Sequence, residues 1–263
     1  MRAFNAFWSR DFRSLNLLNE AFMILLRKKD NPEDIKDYRP ISLIQSFSKL
    51  VSKGLALWLA PFMDTLVRAN QTAFIMGRRI HDNFRSVQLY RRWLHARQHA
   101  CILLKVDIAK TFDSVAWPFL LEVLERFGFP HRWRDWIAAM LLSASTKVLV
   151  NGRMGRRICH ARGLWQGDPL SPLLFVMVME VLNAMIQEAD LRVMLSPLPG
   201  DHFGHRMSLY ADDLVLFLVP KQEDFSCIRA ILDLFAGASG LLTNVEKCLI
   251  SPIRCTEEEV VLV

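Results

Sequence analysis

Cysteine is scarce and unpatterned in this 263-residue chain: Cys101, Cys159, Cys227, Cys248 and Cys255 stand singly. No metal-ligand pair and no disulfide-like spacing occurs among them, so they read as buried or incidental thiols of a reducing compartment. No internal repeat, low-complexity tract or Gly/Ser-rich linker divides the chain. Its length suits one large domain or two subdomains sharing a core. The N-terminus lacks the charged-then-apolar pattern of a secretory signal. The most apolar stretch, Pro169 to Ile186, carries Glu180 and Asn183 and is short for a membrane span. A buried helix is expected there, and no membrane partner.

Acids are the minority charge, with 27 Asp and Glu against 33 Lys and Arg. Apolar residues at 52% and charged ones at 23% give an ordinary globular composition rather than disorder. The distribution of the charge says more than the net +6. Arg78, Arg79, Arg85, Arg91, Arg92 and Arg97 face a single acid, Asp82, within their stretch. A second basic stretch holds Lys147, Arg153, Arg156, Arg157 and Arg162. Such stripes suit phosphate backbones, and each alone also fits a solvated basic face.

The first hundred residues favour helix, with Leu43, Phe47, Leu50 and Val51 on one face and Val87, Tyr90 and Leu94 on another. Residues 101–108 read as a mostly buried strand ending in an acid. A helix with Pro118 in its first turn should follow, stopped by Gly128 and Pro130. The next helix, about 132–142, places Trp133, Trp136, Ile137 and Met140 on one stripe, which burial preference assigns to the core. Two strands joined at Asn151-Gly152 come next, then a helix after Pro172. A hairpin over 206–219, a helix from Phe225 to Phe235 and a strand over 245–251 complete the chain. This order predicts an α+β fold, a mainly antiparallel sheet backed by helices.

Three acids carry the chemistry. Asp107 ends an apolar strand, and Asp212-Asp213 sit at a hairpin tip flanked by strand formers. If those strands are neighbours, the acids converge, and clustered carboxylates repel one another unless a cation joins them. Nucleotidyl transfer uses two divalent cations roughly 3.5–4 Å apart, held by hard oxygen donors of this kind. Ordinary turn and capping chemistry accounts for such acids equally well when each is taken alone.

Read in order, Lys105-Val-Asp-Ile-Ala-Lys-Thr-Phe-Asp113, Gln166-Gly-Asp-Pro-Leu-Ser-Pro172 and Tyr210-Ala-Asp-Asp213 resemble motifs A, B and C of reverse transcriptases. Asp37-Tyr-Arg-Pro-Ile-Ser-Leu43, Gln71-Thr-Ala-Phe-Ile-Met-Gly-Arg78 and Ser239-Gly-Leu-Leu-Thr-Asn244 with Lys247 resemble further segments of the LINE-type (non-LTR) retrotransposon enzymes. The resemblance implies right-hand polymerase fingers over residues 1–100 and a palm over 101–263, the thumb absent. It implies an RNA-directed DNA polymerase that takes an RNA template, a DNA primer and deoxynucleoside triphosphates. Two Mg²⁺ ions, with Mn²⁺ as substitute, would serve it.

Residue by residue, the resemblance makes Asp107 and Asp212 metal ligands, with the Ile108 carbonyl as a further one and Asp213 as a supporting acid. Phe112 takes the place of the steric gate against a ribose 2′-hydroxyl. Gln166 and Gly167 lie by the incoming nucleotide, Gly167 because a side chain would intrude. Arg39 grips the triphosphate and Lys247 sits near the leaving pyrophosphate. The chain departs from the pattern at Trp165, where Arg is usual, and at Thr111, where Ala is usual. Without a thumb, grip on the duplex is expected to be weak and activity low or absent. The alternative is a catalytically inactive RNA-binding relic of the same fold.

Overall fold

The computed structural model describes residues 2–200 and 205–261. The N-terminal part holds α1 (Arg2–Trp8), α2 (Leu15–Leu18), β1 (Glu20–Arg27), β2 (Tyr38–Ile44), α3 (Ser46–Leu59), α4 (Met63–Leu66) and α5 (Ile80–Ala96). The middle holds β3 (Cys101–Val106), α6 (Thr111–Ser114), α7 (Trp117–Arg126), α8 (His131–Leu142), β4 (Ser145–Val150), β5 (Arg153–Cys159) and α9 (Ser171–Leu191). The last part holds β6 (Met207–Tyr210), β7 (Asp213–Leu218), α10 (Gln222–Ser239), β8 (Leu249–Ile253) and α11 (Glu257–Val261). The order expected from residue 101 onward holds apart from the added short α6 and the terminal α11, and the α+β class with largely antiparallel pairing holds too.

The expectation of helix through the first hundred residues fails at β1 and β2. Glu20–Arg27 reads EAFMILLR, rich in helix formers, yet β1 pairs antiparallel with β2 and parallel with β4. Pairing on both edges overrides a weak local propensity. Leu43 therefore lies in β2 opposite Phe22 rather than on a helix. The buried face of α3 is Ser48, Val51, Ser52, Leu55, Ala56 and Leu59, one position out of phase with the expected one, and Leu50 is exposed. The final strand also starts later than expected, at Leu249, because Val245–Lys247 forms a single 3₁₀ turn.

Compactness divides the chain differently from a cut at residue 100. One unit comprises residues 1–59 and 115–172, the other 60–114 and 173–263. Strand pairing is the reason, since β4 adds to β1 and carries β5 with it, giving the first unit a β2-β1-β4-β5 sheet. The β4–β5 turn is Asn151-Gly152, both at positive φ (49° and 76°), as a type I′ hairpin requires. An aromatic cluster joins the largely aliphatic core of this unit. Phe7 stacks on Trp136, and Trp8 and Trp58 pack around the same ring. Trp133, Trp136 and Ile137 are buried, as the α8 stripe predicted.

In the second unit the sheet order is β6-β7-β3-β8, antiparallel throughout. α5 packs Tyr90 and Leu94 against Cys101, Phe217 and Ile253. With 21 residues and a mean hydropathy of 1.4, α9 has the length and apolarity of a membrane span. Phe175, Val176, Met177, Val178 and Met179 are nonetheless fully buried in this chain. The polar Glu180 and Asn183 are buried too, and both are bonded: Glu180 pairs with Arg68, and Asn183 exchanges hydrogen bonds with Asn70.

Candidate active site

β3 is a central strand, flanked by β7 and β8, and its last pair with β7 is Val106 with Leu214. One step beyond that pair stand Asp107 on one strand and Asp213 on the other. Tyr210 pairs with Asp213, leaving Ala211 and Asp212 as the two-residue turn between β6 and β7. Register thus carries the expected acids to the same end of one sheet. Asp107 and Asp212 are half-buried, and Asp213 is exposed.

Lys105 lies two residues before Asp107, so the strand alternation puts it on the same face. Its Nζ is 3.1 Å from Asp213 Oδ1. Among the described residues no three His, Cys, Asp or Glu side chains gather closely enough to hold an ion by themselves. Asp213, expected to converge with the other two carboxylates, is paired with a lysine. The remaining donor set is two half-exposed carboxylates, hard oxygens open to a substrate. That set fits Mg²⁺, which usually takes one or two carboxylates and completes its shell with water and phosphate oxygens.

Beyond Asp107 the chain is tied to the segment before Lys247. Asp107 O accepts from Asn244 N–H (2.8 Å) and Ala109 N–H donates to Leu242 O (2.8 Å). These two bonds make the Ile108–Thr243 bridge while passing through the neighbours of Ile108, not through Ile108 itself. Phe112, in α6, is half-buried and stacks on the fully buried Phe175 of α9, centroids 4.7 Å apart. Its ring thus has a fixed backing. Lys247 is exposed at the end of the 3₁₀ turn, not on a strand.

The β6 edge is covered from outside by residues 70–73. Thr72 N–H donates to Leu209 O (3.1 Å), and Leu209 N–H donates to Asn70 O (2.9 Å). Asn83 reaches from α5 to both Asn70 O and Leu209 O. Asn70 adds a bond to Met207 O, so the edge strand is held along its length. This cover escaped the sequence reading, because nothing in it signals which backbone those amides meet.

The other expected residues lie in the first unit. Arg39 is exposed on β2, across from Leu26. Gln166 and Gly167 are exposed in the turn that precedes α9. Gly167 has φ 86°, and a Cβ there would meet nothing within 4 Å. Within this chain the glycine answers a backbone requirement rather than crowding. Asp168 Oδ2 accepts from Leu170 N–H, Ser171 N–H and Ser171 Oγ, capping the start of α9. Trp165 is half-buried beside His160, whose Nε2 is 2.6 Å from Thr146 Oγ1.

Of the expected basic stripes, Arg78 is structural. Its guanidinium meets the Asp64 carboxylate and the carbonyls of Val67, Arg68 and Gln71. Arg157 bonds Ser145 and Asn16, while Arg153 and Arg156 are exposed on β5. Burial pushes the Cys101 thiol, on β3, up to about 12, with the neighbouring Cys255 adding to the shift. The same burial raises the Tyr90 hydroxyl.

The family described as "Reverse transcriptase (RNA-dependent DNA polymerase)" matches residues 26–256. The Transposon TX1 uncharacterized 149 kDa protein of Xenopus laevis is 29% identical over 239 residues, covering 86% of this chain and 17% of that protein. The Retrovirus-related Pol polyprotein from type-2 retrotransposable element R2DM of Drosophila melanogaster is 29% identical over 220 residues, 83% of this chain and 20% of its own. The chain therefore spans about a fifth of the length of these relatives. Among solved structures, apo telomerase of Candida tropicalis, truncated from its C-terminal domain, aligns over 92% of this chain and 51% of its own. Its TM-score is 0.64 at 10% identity, a likeness of fold. Telomerase of Candida albicans gives 0.62 at 14% identity, over 95% of this chain and 47% of its own.

Proposed function

Because this chain belongs to the reverse transcriptase family, in its LINE-type (non-LTR) branch, we propose that it is the core of an RNA-directed DNA polymerase. It extends a DNA primer along an RNA template from deoxynucleoside triphosphates. The observation that carries this reading is the register that ends β3 and opens β7 on Asp107 and Asp213, with Asp212 in the turn between β6 and β7. By role, residues 1–100 are fingers and 101–263 palm, a division that need not follow compactness.

The family uses divalent metal ions, and the finer assignment proposed is two Mg²⁺, for which Mn²⁺ substitutes. Asp107 and Asp212 are the carboxylates that would hold them, with the Ile108 carbonyl beside the first. Bound there, such ions would supply Lewis acidity toward the 3′-hydroxyl and positive charge toward the triphosphate. Asp213 supports the pair electrostatically, and Lys105 holds it aside. Phe112, braced by Phe175, crowds the sugar 2′-position and so favours deoxynucleotides. Gln166 and Gly167 border the nucleotide, and Arg39 offers a planar guanidinium to its phosphates. Lys247 supplies positive charge to the departing pyrophosphate.

Extension of a primed RNA template with Mg²⁺ or Mn²⁺ tests the proposal. Wild type should incorporate deoxynucleotides, and Asp212→Asn should lose at least about a hundredfold in rate, as expected when a metal-holding group that stabilises the transition state is removed. Equal, background-level incorporation by both would refute catalysis by this chain. RNA binding without catalysis would then be the better reading.

A further inference from the structure

We propose that Gln71 is the positioning residue of the Tyr210–Asp213 turn, a role that rests on the polymerase reading above. Its side chain is completely buried and makes three hydrogen bonds, all to backbone. Oε1 accepts from Ala211 N–H (3.0 Å) and from Ala73 N–H (3.0 Å), and Nε2 donates to Ala211 O (3.3 Å). Two amide donors meeting one side-chain atom and a carbonyl meeting the other fix which end of the amide is oxygen.

These contacts seize both peptide groups around Ala211. The Ala211 N–H belongs to the peptide linking it to Tyr210, and the Ala211 carbonyl belongs to the peptide linking it to Asp212. Holding both fixes the rotation about the Ala211 Cα, and with it the direction in which the chain enters Asp212. Ala211 needs such a hold. Its φ is 56°, the left-handed region that costs a non-glycine residue about 1–3 kcal/mol and persists only where surroundings over-determine it.

Gln71 is itself anchored. Its backbone bridges to Leu209, Thr72 N–H donates to Leu209 O, and Arg78 Nη1 donates to the Gln71 carbonyl (2.8 Å). The platform that aims the turn is thus built on the strand leading into it. Only a planar group with an acceptor at one end and a donor at the other can satisfy this pattern. Glutamate lacks the donor and leucine lacks both. Gln71 does not touch the Asp212 carboxylate, so its action on catalysis is through the backbone.

The test uses the full chain as wild type and Gln71→Leu, with two readouts. The first is single-nucleotide incorporation on primed RNA with Mg²⁺. The second is amide hydrogen exchange at Ala211 compared with Leu214, Leu216 and Leu218 in β7. Gln71→Leu should lower kcat by about 10–100-fold, the cost of a small misplacement of reacting groups, with KM for primer–template nearly unchanged. Exchange at Ala211 should rise about tenfold or more while the β7 amides keep their rates, since the opening is local. Unchanged exchange at Ala211 would overturn the proposal, as would a uniform rise through β7, which would make Gln71 merely structural. Unchanged kcat in an active enzyme with Ala211 released would overturn it too. A wild type that incorporates nothing, with Ala211 released only by the substitution, would sustain the clamp and defeat the polymerase reading instead.

Discussion

At the residue scale, the strand-end and turn positions of the acids were legible, because the chemistry proposed for them constrains both type and place. Asp107 must end a strand and Asp212 must sit in a tight turn for the two to meet. Both requirements leave marks in sequence, an apolar run before one and strand formers on either side of the other. The pairing of Asp213 with Lys105 was not legible, since strand alternation allows it but only the β3–β7 register brings it about. Gln71 was hidden for a related reason. Its partners lie in a distant turn, and a glutamine in a loop says nothing about which backbone it grips. The buried thiol of Cys101 adds a pH dependence. Its folded value near 12 exceeds the ordinary 9.0. Below pH 9 both folded and unfolded chains keep the proton, and the stability is complete. As pH rises from 9 toward 12 the unfolded chain ionises first, so stability falls across that window. Tyr90 pulls in the same direction. Urea midpoints measured from pH 8 to 11 should therefore decline for wild type and decline less for Cys101→Val; parallel curves would contradict this.

At the element scale, helices with a clear apolar stripe were readable. α8 buried Trp133, Trp136 and Ile137 of its expected stripe, with Met140 half-buried, and α7 stopped at the Gly128-Phe-Pro130 punctuation. β1 was unreadable, because its Ala, Met and Leu favour helix and its pairing with β2 and the distant β4 leaves no local signal. The polar residues of α9 show how an element can mislead by composition. Glu180 and Asn183 broke the apolar run, and the structure puts them at the helix face that receives Arg68 and Asn70. Removing Arg68 would leave the Glu180 carboxylate buried without its cation. Arg68→Met should therefore cost about 2–4 kcal/mol in urea unfolding, somewhat below the roughly 3–5 kcal/mol for a fully buried pair, because the Arg68 side chain is 39% exposed. Replacing both, Arg68→Met with Glu180→Leu, should recover part of that loss. A single substitution costing less than about 0.5 kcal/mol would place the pair among ordinary surface contacts.

At the scale of the whole chain, the order of motifs and the α+β class were readable, while the compact units were not. A unit made of two separated segments depends on β4 joining β1, and parallel pairing between distant strands has no local signature. The same non-local logic builds the proposed active site, whose two carboxylates come from segments far apart in sequence. Both segments should therefore report on the same bound ion. Fe²⁺ substituted for Mg²⁺, with primed RNA, a chain-terminating nucleotide, ascorbate and hydrogen peroxide, reduces the peroxide to hydroxyl radicals that cut backbone close to the ion. The account predicts cuts in both 105–109 and 210–214, and loss of both together in Asp212→Asn. Cuts confined to one segment, or a pattern that Asp212→Asn leaves unchanged, would contradict a shared metal site at this end of the sheet.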